Sequence, residues 1–169
     1  MKIRQVDISL DSDIEQITEI YNYYIENTPQ TFETEPIDSE QMRKRISEIV
    51  QDCPYLVAEE NGEILGYAYA TRFRLDQEFA YSASVAIYVK AGVTHKGIGT
   101  QLYLALFDKL SLTDFHTIVA AISLPNEVGV KFHEKLGFKK VAHFYQIGYK
   151  LGRWVDVGYW QKMNIISDE

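Results

Sequence analysis

Cysteine occurs once in the 169 residues, at Cys53. One thiol excludes an internal disulfide and fits a reducing compartment, so a cytoplasmic protein is expected. No apolar run approaches the roughly 20 residues that span a bilayer. Residues 1–6 mix polar and apolar side chains, unlike a signal peptide. Positive charge is also in short supply: 17 Lys and Arg stand against 24 Asp and Glu, a net charge of -7. The basic footprint of a nucleic-acid binder is missing, and neither nucleic acid nor membrane is expected as a partner. His95, His116, His133 and His143 lack metal-ligand spacing with carboxylates or with Cys53. Repeats, low-complexity tracts and long linkers are absent, and the length suits one domain over residues 1–169.

What the chain does contain is ordered periodicity. Residues 2–8 read as a first strand. Ser12 and Glu15 form an S-x-x-E capping pattern, and Ile14, Ile17, Tyr21, Tyr24 and Ile25 then fall on one helical face. Residues 27–36 hold two prolines and read as a loop. Asp38 starts a second helix whose inward face is Met42, Ile46, Ile49 and Val50. The period then changes. Residues 55–60 and 64–73 are strands joined by Asn61-Gly62, a strong hairpin signal, and residues 81–89 alternate as a third. A Gly-containing loop opens a helix with Ile98, Leu102, Ala105 and Leu106 inward. Residues 117–122 (TIVAAI) form a short buried strand. A helix follows Asn126 and stops at Gly137, and strands near 142–149 and 155–163 finish the chain. In the order β-α-α-β-β-β-α-β-α-β-β the middle is antiparallel, joined by a hairpin, and the later β-loop-α-β segment must be a parallel crossover. The fold class is therefore α+β: a mixed sheet with helices on both faces.

Four groups of residues carry chemistry, each with a structural alternative. Residues 94–99 (THKGIG) lie between strand and helix, where glycines and free N–H groups favour a diphosphate; the alternative is a tight turn. The spacing is neither GxGxxG nor a P-loop. His133 sits one turn before Gly137, as a proton donor or orienting group or as a packed histidine. Arg72 and Arg74, two residues apart on one strand face, suit an anion clamp or a solvated strand end. Phe32 lies in a loop that shapes specificity or anchors itself in the core. Cys53 is a nucleophile or, on the plainer reading, a semi-buried spacer at a helix end.

Together these blocks resemble the GNAT acetyltransferases, specifically the phosphinothricin and methionine-sulfone acetyltransferase branch. The resemblance is carried by TFETEP (residues 31–36), IYVKAGVTHKGIG (87–99), NEVGVKFHEKLGF (126–138) and GRWVDVGYWQ (152–161), and runs over nearly the whole chain. It implies the GNAT acyl-CoA N-acyltransferase fold and acetyl-CoA as cofactor. It implies cofactor contacts from Ile87, Tyr88 and Val89 along the pantetheine arm, from Thr94, His95, Lys96, Gly97, Ile98 and Gly99 at the diphosphate, and from Asn126 and Phe132. His133 falls where the family keeps a tyrosine or histidine near the leaving thiolate. Phe32, Arg72 and Arg74 would shape the pocket of a small-molecule amine, and a homodimer is implied.

Three positions depart from the family pattern. Thr94 replaces Arg or Gln, His95 replaces Gly, and the glutamate that serves the branch as general base falls at or next to Ser84, where there is no carboxylate. An α-amino group with a pKa near 7.7–8.0 is already about a tenth neutral at pH 7. The expected mechanism is therefore direct attack by a neutral amine of an amino acid or amino-acid analogue, its proton leaving through water and Glu78 or Glu33. Cys53 lies outside every cofactor block, against an acyl-cysteine intermediate. The open alternatives are another amine (a polyamine or peptide N-terminus), a non-catalytic acetyl-CoA-binding module, and a nucleotide-phosphate binder.

Overall fold

The computed structural model describes residues 1–93 and 97–164. Thr94, His95 and Lys96, three of the expected cofactor contacts, lie outside the described residues. The strands are β1 (Lys2–Gln5), β2 (Tyr55–Glu60), β3 (Glu63–Arg72), β4 (Ser82–Val89), β5 (Thr117–Leu124), β6 (Lys139–Lys150) and β7 (Arg153–Met163). The helices are α1 (Asp11–Asn27), α2 (Ser39–Ile49), α3 (Ile98–Leu110) and α4 (Glu127–Lys135), with a one-turn 3-10 helix at Gln77–Phe79. Element order and type agree with the sequence reading, apart from that short turn.

The strands form one sheet in the order β1-β2-β3-β4-β5-β7-β6. Every pairing is antiparallel except β4 with β5. The crossover through α3 accounts for the exception, because strands that run the same way need a long connection. One apolar layer lies between the sheet and α3, built on Leu102, Leu106, Ile118 and Trp160. A second lies between the sheet and α1–α2, built on Ile14, Ile17, Met42, Ile46 and Tyr67. Helices thus cover both faces. Cys53 is buried in the first layer, and burial pushes its thiol pKa up, so it packs rather than reacts.

Local chemistry explains most boundaries. Asp38 caps α2 by accepting from Gln41 N–H at 2.8 Å, while the Gln41 side chain accepts from Asp38 N–H at 3.0 Å. The Ser12–Glu15 capping box does not form: α1 begins at Asp11 behind Leu10, with no side-chain cap. The carboxylate of Asp13 turns inward instead, accepting from Arg4 at 2.7 and 2.8 Å and from Asp7 N–H at 3.0 Å. That buried fork ties α1 to β1. β1 stops at Gln5 rather than residue 8, because Asp7 accepts from Ser9 N–H and turns the chain. Asp156 supplies a similar pin at the far edge. It accepts from Gln146 N–H and His143 Nε2, both at 2.8 Å, where β6 bulges and Gln146 takes φ +49. Among the described residues no helix is long and apolar enough to cross a membrane.

Gly158 on β7 has no room for a side chain. A Cβ there would stand 2.4 Å from Cζ3 of buried Trp160 and 3.2 Å from Leu124 Cδ1. Gly158→Ala is expected to overpack this layer and destabilise the fold by about 1–3 kcal/mol. Thermal unfolding followed by circular dichroism checks this; an unchanged melting temperature would show that Trp160 can move.

Candidate active site

The sheet is held together across its middle by little. β4 and β5 pair only at Ser82 with Thr117, Ala83 with Ile118 and Ser84 with Val119. Beyond Ser84 the two strands part, although β4 stays paired to β3 as far as Val89 and β5 stays paired to β7 as far as Leu124. Residues 85–89 therefore have no strand partner on the β5 side. Unpaired backbone N–H and C=O groups there need other partners, and an extended chain bearing amides is the kind of ligand that adds to such an edge. A cavity of about 490 Å³ fills the parting. Val85, Ala86, Ile87 and Tyr88 line it from β4, and Ala121, Ile122 and Ser123 from β5.

α3 starts beside this opening. Gly97 precedes it at φ +97, a left-handed conformation that suits glycine, and no side chain among the described residues caps the first turn. Its leading N–H groups are thus left for an anion. The Ile98 side chain is buried in the core, so only its backbone is offered. At Gly99 a Cβ would meet the Phe132 ring at 3.3 Å and Ile87 Cδ1 at 3.6 Å; glycine lets α3, α4 and β4 approach closely at the mouth. The unpaired edge and the uncapped helix start fit the pantetheine arm and diphosphate of a coenzyme A thioester.

The α3–α4 side of the cavity is lined by Tyr103, Asn126, Gly129, Phe132 and His133. Asn126 caps α4, its Oδ1 accepting from Gly129 N–H at 2.9 Å. His133 is 7% exposed. Its Nδ1 lies 2.8 Å from the Gly129 carbonyl and its Nε2 lies 3.1 Å from the Tyr103 hydroxyl. A carbonyl can only accept, so Nδ1 carries the ring proton. In the neutral ring Nε2 is then a lone pair, and Tyr103 donates to it. Burial lowers the His133 pKa below its usual 6.5, more than the bond to Gly129 raises it, so the ring is neutral at pH 7.

The opposite side is lined by Tyr21, Thr31, Phe32, Glu33, Thr71, Phe73, Ser84 and Tyr88. Glu33 is the one carboxylate in this lining that comes from the loop before α2. Arg45 grips it through two bonds of 2.6 Å and Tyr21 also donates to it. The Arg45 fork, against a smaller effect of burial, holds its pKa below the usual carboxylate value, which makes it a weak base.

Of the expected site residues, Ser84, Ile87, Tyr88, Asn126, Phe132, His133 and Phe32 meet in this cavity, and Gly97, Ile98 and Gly99 lie at the start of α3. Val89 does not line the cavity; its carbonyl accepts from the Tyr24 hydroxyl at 2.7 Å. Arg72 and Arg74 stand outside the lining within one chain. Strand alternation turns Thr71 and Phe73 to the cavity and Arg72 to the other face, where it lies 3.6 Å from Asp52. The Arg74 guanidinium sits over the Phe79 ring at 5.5 Å. Glu78 lies in the 3-10 turn, also outside the cavity lining. Sequence reasoning missed Tyr103. The available signal was its position one turn after Gly99 on the apolar side of α3.

The neutral, buried state of His133 has a consequence for stability. In the unfolded chain the ring takes a proton below about pH 6.5, while the folded chain resists it, so stability attributable to His133 falls as pH drops through that range. The advantage of the wild type over His133→Phe is expected to shrink by up to about 1.4 kcal/mol per pH unit below 6.5. Urea unfolding of both proteins at pH 7.5 and 5.5 measures it; a difference independent of pH would mean that the folded ring protonates freely.

The family model for the acetyltransferase (GNAT) domain matches residues 7–158. The chain is 36% identical over 162 residues to the phosphinothricin N-acetyltransferase of Streptomyces coelicolor, covering 94% of this chain and 95% of that one. It is 32% identical over 162 residues to the L-methionine sulfoximine/L-methionine sulfone acetyltransferase of Salmonella typhimurium, covering 95% and 93%. An acetyltransferase from Salmonella typhimurium, solved with its cofactor acetyl-CoA, superposes with a TM-score of 0.92 at 30% identity, covering 100% of this chain and 96% of that one. A parted β4–β5 pair, an uncapped helix beside it and a match over most of the length lead to one conclusion: the chain belongs to the GNAT acetyltransferase family.

Proposed function

We propose that this acetyl-CoA-dependent N-acetyltransferase, formed by residues 1–169 as one cytoplasmic domain, acetylates the amino group of an amino acid or a close analogue. Acetyl-CoA supplies, when bound, an electrophilic thioester carbonyl and a thiol leaving group. The chain's own part is to hold the reactants, orient them and move a proton. The edge of β4 at residues 85–89 offers backbone N–H groups, aligned along the cavity, to polarise a carbonyl laid against it. The cavity passes through the sheet, so a donor entering beside α3 and α4 and an acceptor entering beside Tyr21, Phe32 and Phe73 meet near Ser84.

The observation that carries the reading is the line Tyr103–His133–Gly129 facing this meeting point. Ser84 cannot serve as a base at neutral pH, and Glu33 is committed to Arg45. Tyr103 and His133 give the attacking amine's proton somewhere to go. As the N–C bond forms, Tyr103 Oη receives that proton while its own hydroxyl proton passes to His133 Nε2. Reversal of the same two transfers delivers a proton to the leaving sulfur. His133 must be neutral to take part, which its burial secures. The same pair favours turnover over a binding-only role for the site.

The amine must also be neutral to attack. kcat/KM is expected to rise about tenfold per pH unit towards the acceptor's own pKa, and Tyr103→Phe to lower kcat by about 10²–10⁴ while acetyl-CoA affinity changes little. Steady-state release of CoA with L-methionine sulfone between pH 6 and 9 measures both. A flat profile, or a Tyr103→Phe enzyme with full kcat, would overturn this mechanism.

We also propose that the protein works as a homodimer. Tyr145, Ile147 and Tyr149 on β6, Leu151 in the following turn and Trp154 on β7 are all exposed, a concentration of large apolar side chains that monomers seldom present. Phe32, at the cavity rim, is 62% exposed and would gain cover from a second copy. Sedimentation velocity at micromolar concentration is expected to give twice the chain mass, and Tyr145→Glu to shift it to the single chain; a monomeric wild type would remove the proposal.

A further inference from the structure

A second cavity of about 420 Å³ adjoins the first, and the two volumes meet at Thr31, Phe32, Ser123 and Tyr159. Its remaining walls are mostly apolar, with Phe144, Ile147 and Val157 among them. One cation lines it: Lys150, the last residue of β6. Lys150 is 7% exposed. Its ammonium donates one hydrogen bond, to the Thr31 carbonyl at 2.9 Å. An ammonium has three donors, and no carboxylate pairs with this one among the described residues. Glu33 contributes a favourable field, but both its oxygens are engaged by Arg45 and one of them also by Tyr21. A buried charge without a counter-ion is unfavourable unless a partner arrives. Ser123, 2% exposed and shared by both cavities, has a hydroxyl with no partner among the described residues.

We propose that Lys150 is the seat for an oxyanion of the acceptor, so that the enzyme selects amines bearing a carboxylate or phosphinate and holds that group in the second cavity while the amine reaches into the first. This rests on the amino-acid-acceptor reading and assigns specificity to a residue outside the cofactor blocks. It also separates two tasks. Arg72 and Arg74 lie on an exposed strand end, where water competes for an anion. Lys150 is itself buried and faces a largely apolar space, where a charge-assisted hydrogen bond is stronger. Lys150 also tethers the loop that carries Thr31 and Phe32, and a purely structural tether is the alternative that the test must separate.

The test compares Lys150→Met with the wild type on paired acceptors: L-methionine sulfone against 3-(methylsulfonyl)propan-1-amine, which lacks the carboxylate, and L-phosphinothricin against its decarboxylated counterpart, which keeps only the phosphinate. Lys150→Met is expected to raise KM for methionine sulfone about ten- to hundredfold, to leave KM for the oxyanion-free amine within about twofold, and to be partly rescued by Lys150→Arg. The decarboxylated phosphinate tells which oxyanion is held: its KM rises in the variant only if the phosphinate occupies the seat. If methionine sulfone is acetylated but Lys150→Met weakens both members of a pair equally, Lys150 is a tether and the seat is overturned. If Arg72→Ala and Arg74→Ala show the carboxylate-selective effect and Lys150→Met does not, the anion is held at the end of β3. Wild-type enzyme that acetylates the oxyanion-free amine but neither amino acid removes the acceptor reading, and the seat with it. Calorimetric titration of the same compounds into CoA-saturated protein reads the seat without turnover, and wild-type binding that ignores the oxyanion would overturn it.

Discussion

The site depends on the brevity of one strand pairing. Three residue pairs join β4 to β5, while each strand is fully engaged on its other side. The sheet is in effect two antiparallel halves, β1-β2-β3-β4 and β5-β7-β6, hinged at Ser84 and Val119. Had the pairing run on, the backbone groups of residues 85–88 that face β5 would be satisfied and the space between the strands closed. Because it stops, unpaired backbone polar groups line an opening that reaches both faces of the sheet. A cofactor with a peptide-like arm can satisfy them, so the missing pairs become binding capacity. The stability forgone is recovered by packing on either side: α3 against both halves through Leu102, Leu106 and Ile118, and α1 and α2 against the tyrosines of β2 and β3.

Proton handling follows from the same opening. Ser84 is the last residue of β4 paired to β5, where the related enzymes of this branch are expected to keep a carboxylate. With a hydroxyl there and Glu33 held by Arg45, the proposed proton carriers in the parting, Tyr103 and His133, come from α3 and α4. His133 is fixed in tautomer by the Gly129 carbonyl, and Tyr103 is fixed in direction by His133. Each bond determines the next, and the chain of three ends at the place where the two halves separate. The acceptor side is arranged differently. Tyr55, Tyr67 and Tyr69 stack with centroids 4.9–6.3 Å apart, and Tyr88 meets Tyr21, Tyr24 and Tyr67 at 5.1–5.5 Å. These rings make a stiff wall with few rotamers to lose, behind a loop that is itself tied down by Glu33–Arg45 and Lys150–Thr31.

Much of this was legible in the sequence because it is local. Helix and strand periods, Asn61-Gly62, the Asp38 cap, Asn126 ahead of α4 and Gly97-Ile98-Gly99 ahead of α3 each act within a few residues. The errors came where two local signals compete or where a partner is distant. Ser12 and Glu15 satisfy a capping pattern, but Asp13 is drawn inward by Arg4 from another strand, and the helix starts earlier. Arg72 and Arg74 share a face, as their spacing requires; which face looks into the cavity is set by β4 and β5, and it belongs to Thr71 and Phe73. Tyr103 was missed because its ring is buried in the core and its hydroxyl reaches a partner, His133, thirty residues away. Lys150 lies just before the GRWVDVGYWQ block and had no partner in its neighbourhood to suggest burial; its bond spans 119 positions.

Those long-range bonds explain why recognising the family reaches the donor half of the reaction more readily than the acceptor half. On the proposed reading, the donor is met by backbone: a strand edge, a helix start and glycines that permit close approach. Backbone geometry survives wide changes in side chains, so THKGIG can depart at two of its six positions while the strand edge and the glycines that flank the helix start remain. On the same proposed reading, the acceptor is met by side chains brought together from the loop before α2, from β3, β4 and β5, and from the last residue of β6. A single replacement there changes charge, reach or hydrogen bonding without disturbing the fold. Discrimination between amines is, on that reading, sought in Thr31, Phe32, Ser123 and Tyr159, where the two cavities meet, and in Lys150 of the second cavity, rather than in the blocks by which the family is known. A buried ammonium with unused donors is the most demanding of these residues, because its charge calls for a partner, and on the proposed reading that partner is the oxyanion of the molecule whose amine must be aligned.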